Sequence, residues 1–212
     1  MRSLIVGLLF LVACSSPSPT LIEPQANLDT SFQELPAGSY YVDTPFPVYL
    51  SVEVPDGTAA WAYITAGTQI NFVREDEAGE LSFEIIDNLV ADPCSNELLD
   101  PPVGPTVDDL VEALSSLDGF EATAATDVSI DGYNGKQFTL TAPGPDEAHC
   151  HDMYTWHTTT RQNGIGQGEV AEVWIVDVAG VRVLVSIAYQ ASDSSADRSG
   201  LEGILNSVQL EP

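Results

Sequence analysis

The sequence predicts an α+β fold in which about eight or nine mostly antiparallel strands pack against two helices. Three observations predict this class. Apolar and polar residues alternate with a period of two over much of the chain after residue 37. Short turns rich in Gly, Pro, Asp and Asn separate these runs. Only two segments have the apolar spacing of an amphipathic helix.

The first half of the folded part reads as a series of strands. Residues 46–54 alternate strictly, and Pro55-Asp56-Gly57 makes a turn after them. Residues 58–65 and 68–74 flank a two-residue gap, which is typical of a hairpin. Residues 81–86 form the next strand.

The first helix is predicted to begin after Thr106. Thr106 and Asp109 have the spacing of a capping box, and Gly119 ends the segment. One face carries a stripe of apolar residues: Val107, Leu110, Val111, Leu114 and Leu117. This stripe predicts that the helix packs on a sheet.

The second half returns to strands and closes with a helix. Strands are predicted at 122–130, 136–142, 153–160, 170–178 and 181–189. The last helix is predicted at 195–206, where Ser194 and Asp197 have the spacing of a capping box.

The N-terminus carries an export signal. The apolar run from Leu4 to Ala13 is too short to span a bilayer, which needs about 20 residues, but has the length of a signal-peptide core. The tetrapeptide Leu11-Val12-Ala13-Cys14 resembles the lipobox of bacterial lipoproteins. That resemblance implies that residues 1–13 are removed as a signal peptide and that Cys14 is acylated with palmitate-type chains.

Residues 14–36 contain several prolines and serines without a clear period. This composition predicts a largely disordered tether. The expectation is that the tether holds one globular domain, residues 37–212, away from the membrane surface.

The charge balance excludes some partners. The chain has 32 acidic and 6 basic residues, for a formal net charge of −26. A nucleic-acid partner is excluded because it requires a basic patch, and electrostatic docking on anionic lipids is disfavoured. The acidity is typical of a soluble surface or a saline habitat. A cationic partner remains allowed.

Two cysteines remain after Cys14. An exported chain folds in an oxidising compartment, where an even pair of cysteines forms a disulfide. Cys94 and Cys150 both lie in irregular segments that a bridge would not distort. The sequence therefore predicts a Cys94–Cys150 disulfide.

The stretch AHCHDMYTWH holds all three histidines of the protein. A disulfide removes Cys150 as a metal ligand, which leaves His149 and His151 with a nearby acid such as Glu147. His157 would lie roughly 20 Å farther along a strand. Metal binding by His149 and His151 is one hypothesis, and exposed loop histidines without a metal are the alternative.

Several turn and helix signals share an order with a known group of domains. They are Val54-Pro55-Asp56-Gly57, Thr106–Leu117, Asp131–Lys136 and Ser207–Leu210. In this order the globular part resembles the PsbP-like domains of exported bacterial lipoproteins and the surface domains of actinobacterial-type lipoproteins. The resemblance implies a role in binding or assembly and supplies no catalytic residues.

The functional expectation is a lipid-anchored extracytoplasmic module that binds an envelope protein or a small ligand. The chain has no G-x-S-x-G or H-E-x-x-H motif, so no enzyme activity and no cofactor are predicted. The expected location is the outward face of the cell membrane or the outer membrane. Two alternatives are an envelope hydrolase with an unrecognised site and a metal-binding lipoprotein.

Overall fold

A computed structural model describes most of the chain after residue 17. The described residues are 18–22, 33–42, 46–57, 60–65, 68–74, 78–95, 97–146, 150, 155–158, 162–193 and 198–212. Cys14, His149 and His151 therefore lie outside the described residues. Residues 66–67, predicted as a hairpin connection, lie outside them too.

The described residues form strands and two helices. In chain order the strands are β1 (Thr20–Leu21), β2 (Gln33–Leu35), β3 (Gly38–Val42), β4 (Tyr49–Val54), β5 (Ala60–Thr65), β6 (Gln69–Arg74), β7 (Glu80–Ile85), β8 (Asn88–Leu89), β9 (Glu121–Ala122), β10 (Thr126–Ile130), β11 (Tyr133–Thr141), β12 (Trp156–His157), β13 (Gln162–Asn163), β14 (Glu169–Val178), β15 (Val181–Gln190) and β16 (Gln209–Glu211). The helices are α1 (Val107–Ser115) and α2 (Ser199–Asn206). Eight of the nine strands with five residues or more correspond to predicted strands, and β3 is an unpredicted addition. Of the strand predicted at 153–160, only the two residues of β12 form a strand among the residues that the structure describes.

Three sheets organise these strands. A nine-stranded sheet has the order β10-β11-β14-β15-β7-β6-β5-β2, with β9 also paired to β11. A four-stranded sheet has the order β1-β3-β4-β16, and a three-stranded sheet has the order β13-β12-β8. Every pair is antiparallel except β1 with β3. The predicted α+β class is confirmed.

The central strands of the nine-stranded sheet are buried on both faces. In β14, Trp174 and Val176 join one hydrophobic cluster, while Val173 and Ile175 join a second cluster on the opposite face. This division follows from the two-residue period of a strand. It explains why β14 and β15 read as nearly continuous apolar runs.

A different layer covers each face of this sheet. On the first face the four-stranded sheet and α2 complete the core, with Leu50, Val52 and Leu201 fully or almost fully buried. On the second face α1 and the three-stranded sheet contribute Leu110 and Trp156. The candidate site described below lies on this second face.

Helix α1 begins as the sequence predicts. The Thr106 side chain accepts a hydrogen bond from the Asp109 amide, and the Asp109 carboxylate accepts one from the Thr106 amide. Leu110 and Leu114 are buried against the sheet. Gly119 has a φ of 79°, which suits glycine and turns the chain away from the helix.

Helix α2 begins at Ser199, four residues after its predicted start. Ser194 and Asp197, the predicted capping pair, lie outside the described residues. Arg198 occupies the cap position without a capping side-chain hydrogen bond. Its side chain instead joins the helix to the nine-stranded sheet through Glu172.

The segment predicted as a disordered tether contains two strands. β1 pairs with β3, and β2 pairs with β5. Ile22 and Leu35 are buried in the first hydrophobic cluster. The burial of these two side chains stabilises the described residues 18–22 and 33–35 against the core.

Candidate functional site

The candidate site centres on Glu84, a carboxyl group that β7 places inside the protein. Leu81 and Phe83 of this strand point into the first hydrophobic cluster. Ser82 and Glu84 therefore point to the second face of the sheet. Glu84 is only 2% exposed.

Three neutral donors contact the Glu84 carboxylate. Trp156 Nε1 donates to Oε2 at 2.8 Å, and Asn163 Nδ2 donates to the same oxygen. Ser82 Oγ donates to Oε1 at 3.0 Å. The hydrogen-bond partners of Glu84 that the structure describes include no Lys, Arg or His.

The pairing register extends the polar surface across three strands. Ser82 lies opposite Ser186 of β15, and their hydroxyl oxygens are 2.9 Å apart. Ser82 also lies opposite Asn71 of β6, and Glu84 lies opposite Gln69. We call these side chains, with their covering partners, the Glu84 cluster: Gln69, Asn71, Ser82, Glu84, Trp156, Asn163 and Ser186.

Two amide atoms of the cluster are left without a partner. Gln69 Nε2 donates to Asn71 Oδ1 at 3.0 Å. The other ends of these amides, Gln69 Oε1 and Asn71 Nδ2, are buried and make no hydrogen bond within the part of the chain that the structure describes. One is an acceptor and the other a donor, so together they can bind a group that both donates and accepts.

The interior position changes the acidity of Glu84. Burial raises the pKa of the Glu84 carboxyl from 4.5 to about 7, because the charged form loses its hydration. The hydrogen bonds from Trp156, Ser82 and Asn163 lower the pKa and oppose this effect, while the nearby Glu80 charge adds slightly to it. The net direction shows that desolvation exceeds the stabilisation of the carboxylate by its donors.

The three-stranded sheet covers the cluster. Its strands β12 and β13 supply Trp156 and Asn163, and Thr155 and Thr158 beside them are fully buried. The side chain of Asn88 in β8 connects this sheet to the loop that follows it. Its Nδ2 donates to the Leu99 carbonyl, and its Oδ1 accepts from the backbone N–H of Val103. The cover is therefore held in place from several directions.

The predicted disulfide is present and flanks this cover. Cys94 follows β8 and Cys150 precedes β12, and their α-carbons are 5.5 Å apart. The Gln167 side chain donates to the Cys150 carbonyl. The bond joins the loop that follows β8 to the segment that precedes β12, and both of these strands belong to the cover.

The other predicted site residues are not placed. Cys14, His149 and His151 lie outside the described residues, so lipidation and metal binding stay predictions. Of His157, only the backbone is described, in β12. Among the residues that are described, no group of three potential ligands could hold a metal ion. No helix in those ranges is long and apolar enough to cross a bilayer.

Sequence reasoning missed Glu84, Gln69, Asn71 and Asn163 as site residues. A signal is present for the first three. Polar side chains occupy most of one face of β6 (QINFVR) and one face of β7 (ELSFEI), and the opposite face of each strand is mostly apolar. Ordinarily such a face meets solvent, and only the arrangement of the sheets shows that it is covered.

Comparison with known proteins defines no family. No family model and no curated protein matches the chain. A protein of known structure from Bacteroides thetaiotaomicron is 10% identical to this chain and superposes with a TM-score of 0.41. The match covers 77% of this chain and 45% of that protein. LpqN of Mycobacterium tuberculosis, described as involved in cell envelope biogenesis, is 12% identical with a TM-score of 0.32, over 87% of this chain and 94% of LpqN. The chain thus spans less than half the length of the first protein, and the resemblances inferred from its sequence stay predictions.

Proposed function

We propose that the chain is a lipid-anchored, extracytoplasmic binding module of the bacterial cell envelope, without catalytic activity, whose small ligand occupies the Glu84 cluster. The Leu11–Cys14 motif supports the anchor and the location. The observation that carries the binding role is the buried pair of unpartnered amide atoms, Gln69 Oε1 and Asn71 Nδ2.

The energetics support binding over a purely structural role. Each unpartnered buried polar group costs about 1–3 kcal/mol, and Glu84 adds a carboxyl group whose described partners are all neutral. Apolar residues of the same size would fill this layer at lower cost. A ligand that supplies the missing hydrogen-bond partners explains why polar residues occupy this layer despite the loss of stability.

The cluster also defines the chemistry of its ligand. Gln69 Oε1 requires a donor, and Asn71 Nδ2 requires an acceptor. Glu84 already accepts three hydrogen bonds from described side chains, so the two amide atoms define what the ligand must supply. The ligand is therefore a polar group that both donates and accepts, such as a carboxamide or a hydroxyl.

The test uses the exported mature chain carrying Cys14→Ser, with and without Gln69→Met and Asn71→Leu. Each protein is incubated with envelope extract and examined by native mass spectrometry for a retained small molecule. The unsubstituted site should retain one, and the double variant should lose it. The free energy of unfolding of the double variant should also be about 1–2 kcal/mol higher than that of the parent, because two unpartnered polar groups are replaced by apolar ones.

Matched controls are Gln209→Met and Asn134→Leu, which change exposed amides of the same two types. Neither should alter ligand retention. Retention by the double variant would contradict the assignment of the site, as would a double variant that is less stable than the parent. Complete absence of a retained molecule on the unsubstituted site would contradict the binding function.

An envelope hydrolase is the second candidate, and one observation favours it. A carboxyl group with a pKa of about 7 is suited to general acid–base catalysis at neutral pH. However, both Glu84 oxygens are occupied and the side chain is buried. Ser82 donates to Glu84 and its hydroxyl also contacts that of Ser186, and no histidine is described beside them. Binding is the better supported proposal.

A further inference from the structure

The predicted lipid anchor lies close to the first strand. The first described residue after Cys14 is Ser18. A chain extends at most about 3.6 Å per residue, so the α-carbons of Cys14 and Ser18 are separated by no more than about 14 Å. A globular part of roughly 175 residues is about 40 Å across. The distance available between the lipid and β1 is thus small relative to the protein.

The edge of the four-stranded sheet lies where this short connection ends. Thr20 and Leu21 of β1 pair in parallel with Tyr40 and Tyr41 of β3. β1 is the outermost strand of its sheet. An anchor at Cys14 therefore holds this edge, and not the far side of the molecule, near the membrane.

The outer face of this edge carries a patch of large side chains. Tyr40 of β3 and Leu50 of β4 point into the core, so their neighbours Tyr41 and Tyr49 point outward. The rings of Tyr41 and Tyr49 are stacked, with centroids 5.7 Å apart. Leu21 lies opposite Tyr41 and shares its face. All three side chains are half-buried.

The chemistry of the patch suits the boundary between lipid and water. Tyrosine is enriched at this boundary because its ring is apolar and its hydroxyl is hydrated. Leucine adds apolar area. Among the described acidic residues of this face, Glu53 lies on β4 and Glu211 lies on β16, opposite Tyr49. Their charge favours a tilt that keeps the β16 edge of the sheet farther from the lipid than the β1 edge.

We propose that the patch formed by Leu21, Tyr41 and Tyr49 rests on the lipid surface in which Cys14 is anchored. This inference rests on the lipidation of Cys14 in the proposed function. It replaces the expected long tether with a protein whose four-stranded sheet lies against the membrane. The Glu84 cluster is on the second face of the nine-stranded sheet, across that sheet from the patch, so its cover faces away from the lipid.

The test compares lipidated full-length protein with the Cys14→Ser protein, each in the presence of phosphatidylcholine vesicles with a minor fraction of phosphatidylglycerol. Hydroxyl-radical labelling and mass spectrometry report the solvent exposure of single side chains. Labelling of Leu21, Tyr41 and Tyr49 should fall roughly threefold in the lipidated protein, because interfacial side chains are shielded by headgroups. Phe120, which is partly buried against the second hydrophobic cluster, serves as a control across the nine-stranded sheet and should be labelled equally in both proteins.

The mass of the N-terminal peptide separates the two ways in which the inference fails. A lipid mass on Cys14 with unchanged labelling of the patch would overturn the membrane contact and leave the anchor intact. A Cys14 peptide without the lipid mass would overturn the anchor in the proposed function and the contact with it. Equal shielding of Phe120 and the patch would also overturn the proposed orientation.

Discussion

Two carboxyl groups lie on opposite faces of the nine-stranded sheet and are stabilised in different ways. Glu172 of β14 is 28% exposed and accepts hydrogen bonds from Tyr189 and Arg198, each at 3.3 Å. The Arg198 guanidinium also lies 3.6 Å above the Tyr189 ring. Glu84 is almost completely buried and accepts only from neutral donors among the described side chains.

The difference distinguishes a polar contact that stabilises the fold from one that reduces the stability of the fold. Arg198 compensates the charge of Glu172 and joins α2 to the sheet. A contribution to the stability of the fold is therefore enough to account for this contact. No cation contacts the Glu84 carboxylate among the described residues, and two amide atoms of the cluster make no hydrogen bond there. Features that reduce stability without a local benefit are typical of functional sites. The comparison therefore supports the proposal that the Glu84 side of the sheet holds the binding site.

Removing the disulfide should have the largest effect and should act on the Glu84 side. The bonded cysteines are 56 positions apart, and closing a loop of this length contributes about 4 kcal/mol in the chain-entropy model. Urea unfolding of Cys94→Ser/Cys150→Ser should show a loss approaching this value. Amide hydrogen exchange should accelerate at Trp156, in the cover, more than at Ile204, in α2. Equal acceleration at both positions would show that the disulfide does not specifically hold the cover.

Glu84→Gln tests the cost of the uncompensated carboxyl group. The pKa of Glu84 is about 7 in the folded protein and about 4.5 in the unfolded chain. Between these values the unfolded chain releases a proton that the folded protein retains, so stability falls as pH rises. The free energy of unfolding falls by about 1.4 kcal/mol per pH unit in this range, so the total loss is roughly 3 kcal/mol by pH 7. Above pH 7 the loss stays nearly constant.

The glutamine variant should remove this pH dependence. Its amide oxygen can accept from Trp156 and Asn163, and its amide nitrogen can donate to Ser82. Urea unfolding at steps from pH 5 to 8 should therefore give a flatter profile and a higher stability at pH 8. Glu112→Gln, which changes an exposed carboxyl group of α1, should leave the profile unchanged. An unchanged slope in Glu84→Gln would show that the burial of Glu84 costs little.

The features that sequence reasoning recovered depend on local patterns. Eight of the nine longer strands come from runs of five residues or more that either alternate or are almost continuously apolar. The capping box at Thr106 needs only residues three positions apart. The Cys94–Cys150 pairing follows from counting cysteines in an exported chain. Each of these signals is contained in a short segment or in the composition.

The features that sequence reasoning missed depend on long-range pairing. The Ser82–Ser186 contact joins residues 104 positions apart, and the Trp156–Glu84 contact joins residues 72 positions apart. The order of strands in the sheet decides these contacts, and periodicity does not reveal that order. Strand β1 was missed for the same reason, because its two residues become a strand only by pairing with β3.

Arg198→Met should have the smallest effect and tests the paired side of the comparison. Methionine keeps apolar contact with the Tyr189 ring but loses the charge that compensates Glu172. The contact is partly exposed, so the loss of unfolding free energy should be about 1–2 kcal/mol at pH 7. Lys136→Met removes an exposed cation that contacts Asp127 at 2.6 Å and should cause no measurable change. If Arg198→Met were also without effect, the Glu172 contact would not stabilise α2, and the contrast between the two carboxyl groups would rest on Glu84 alone.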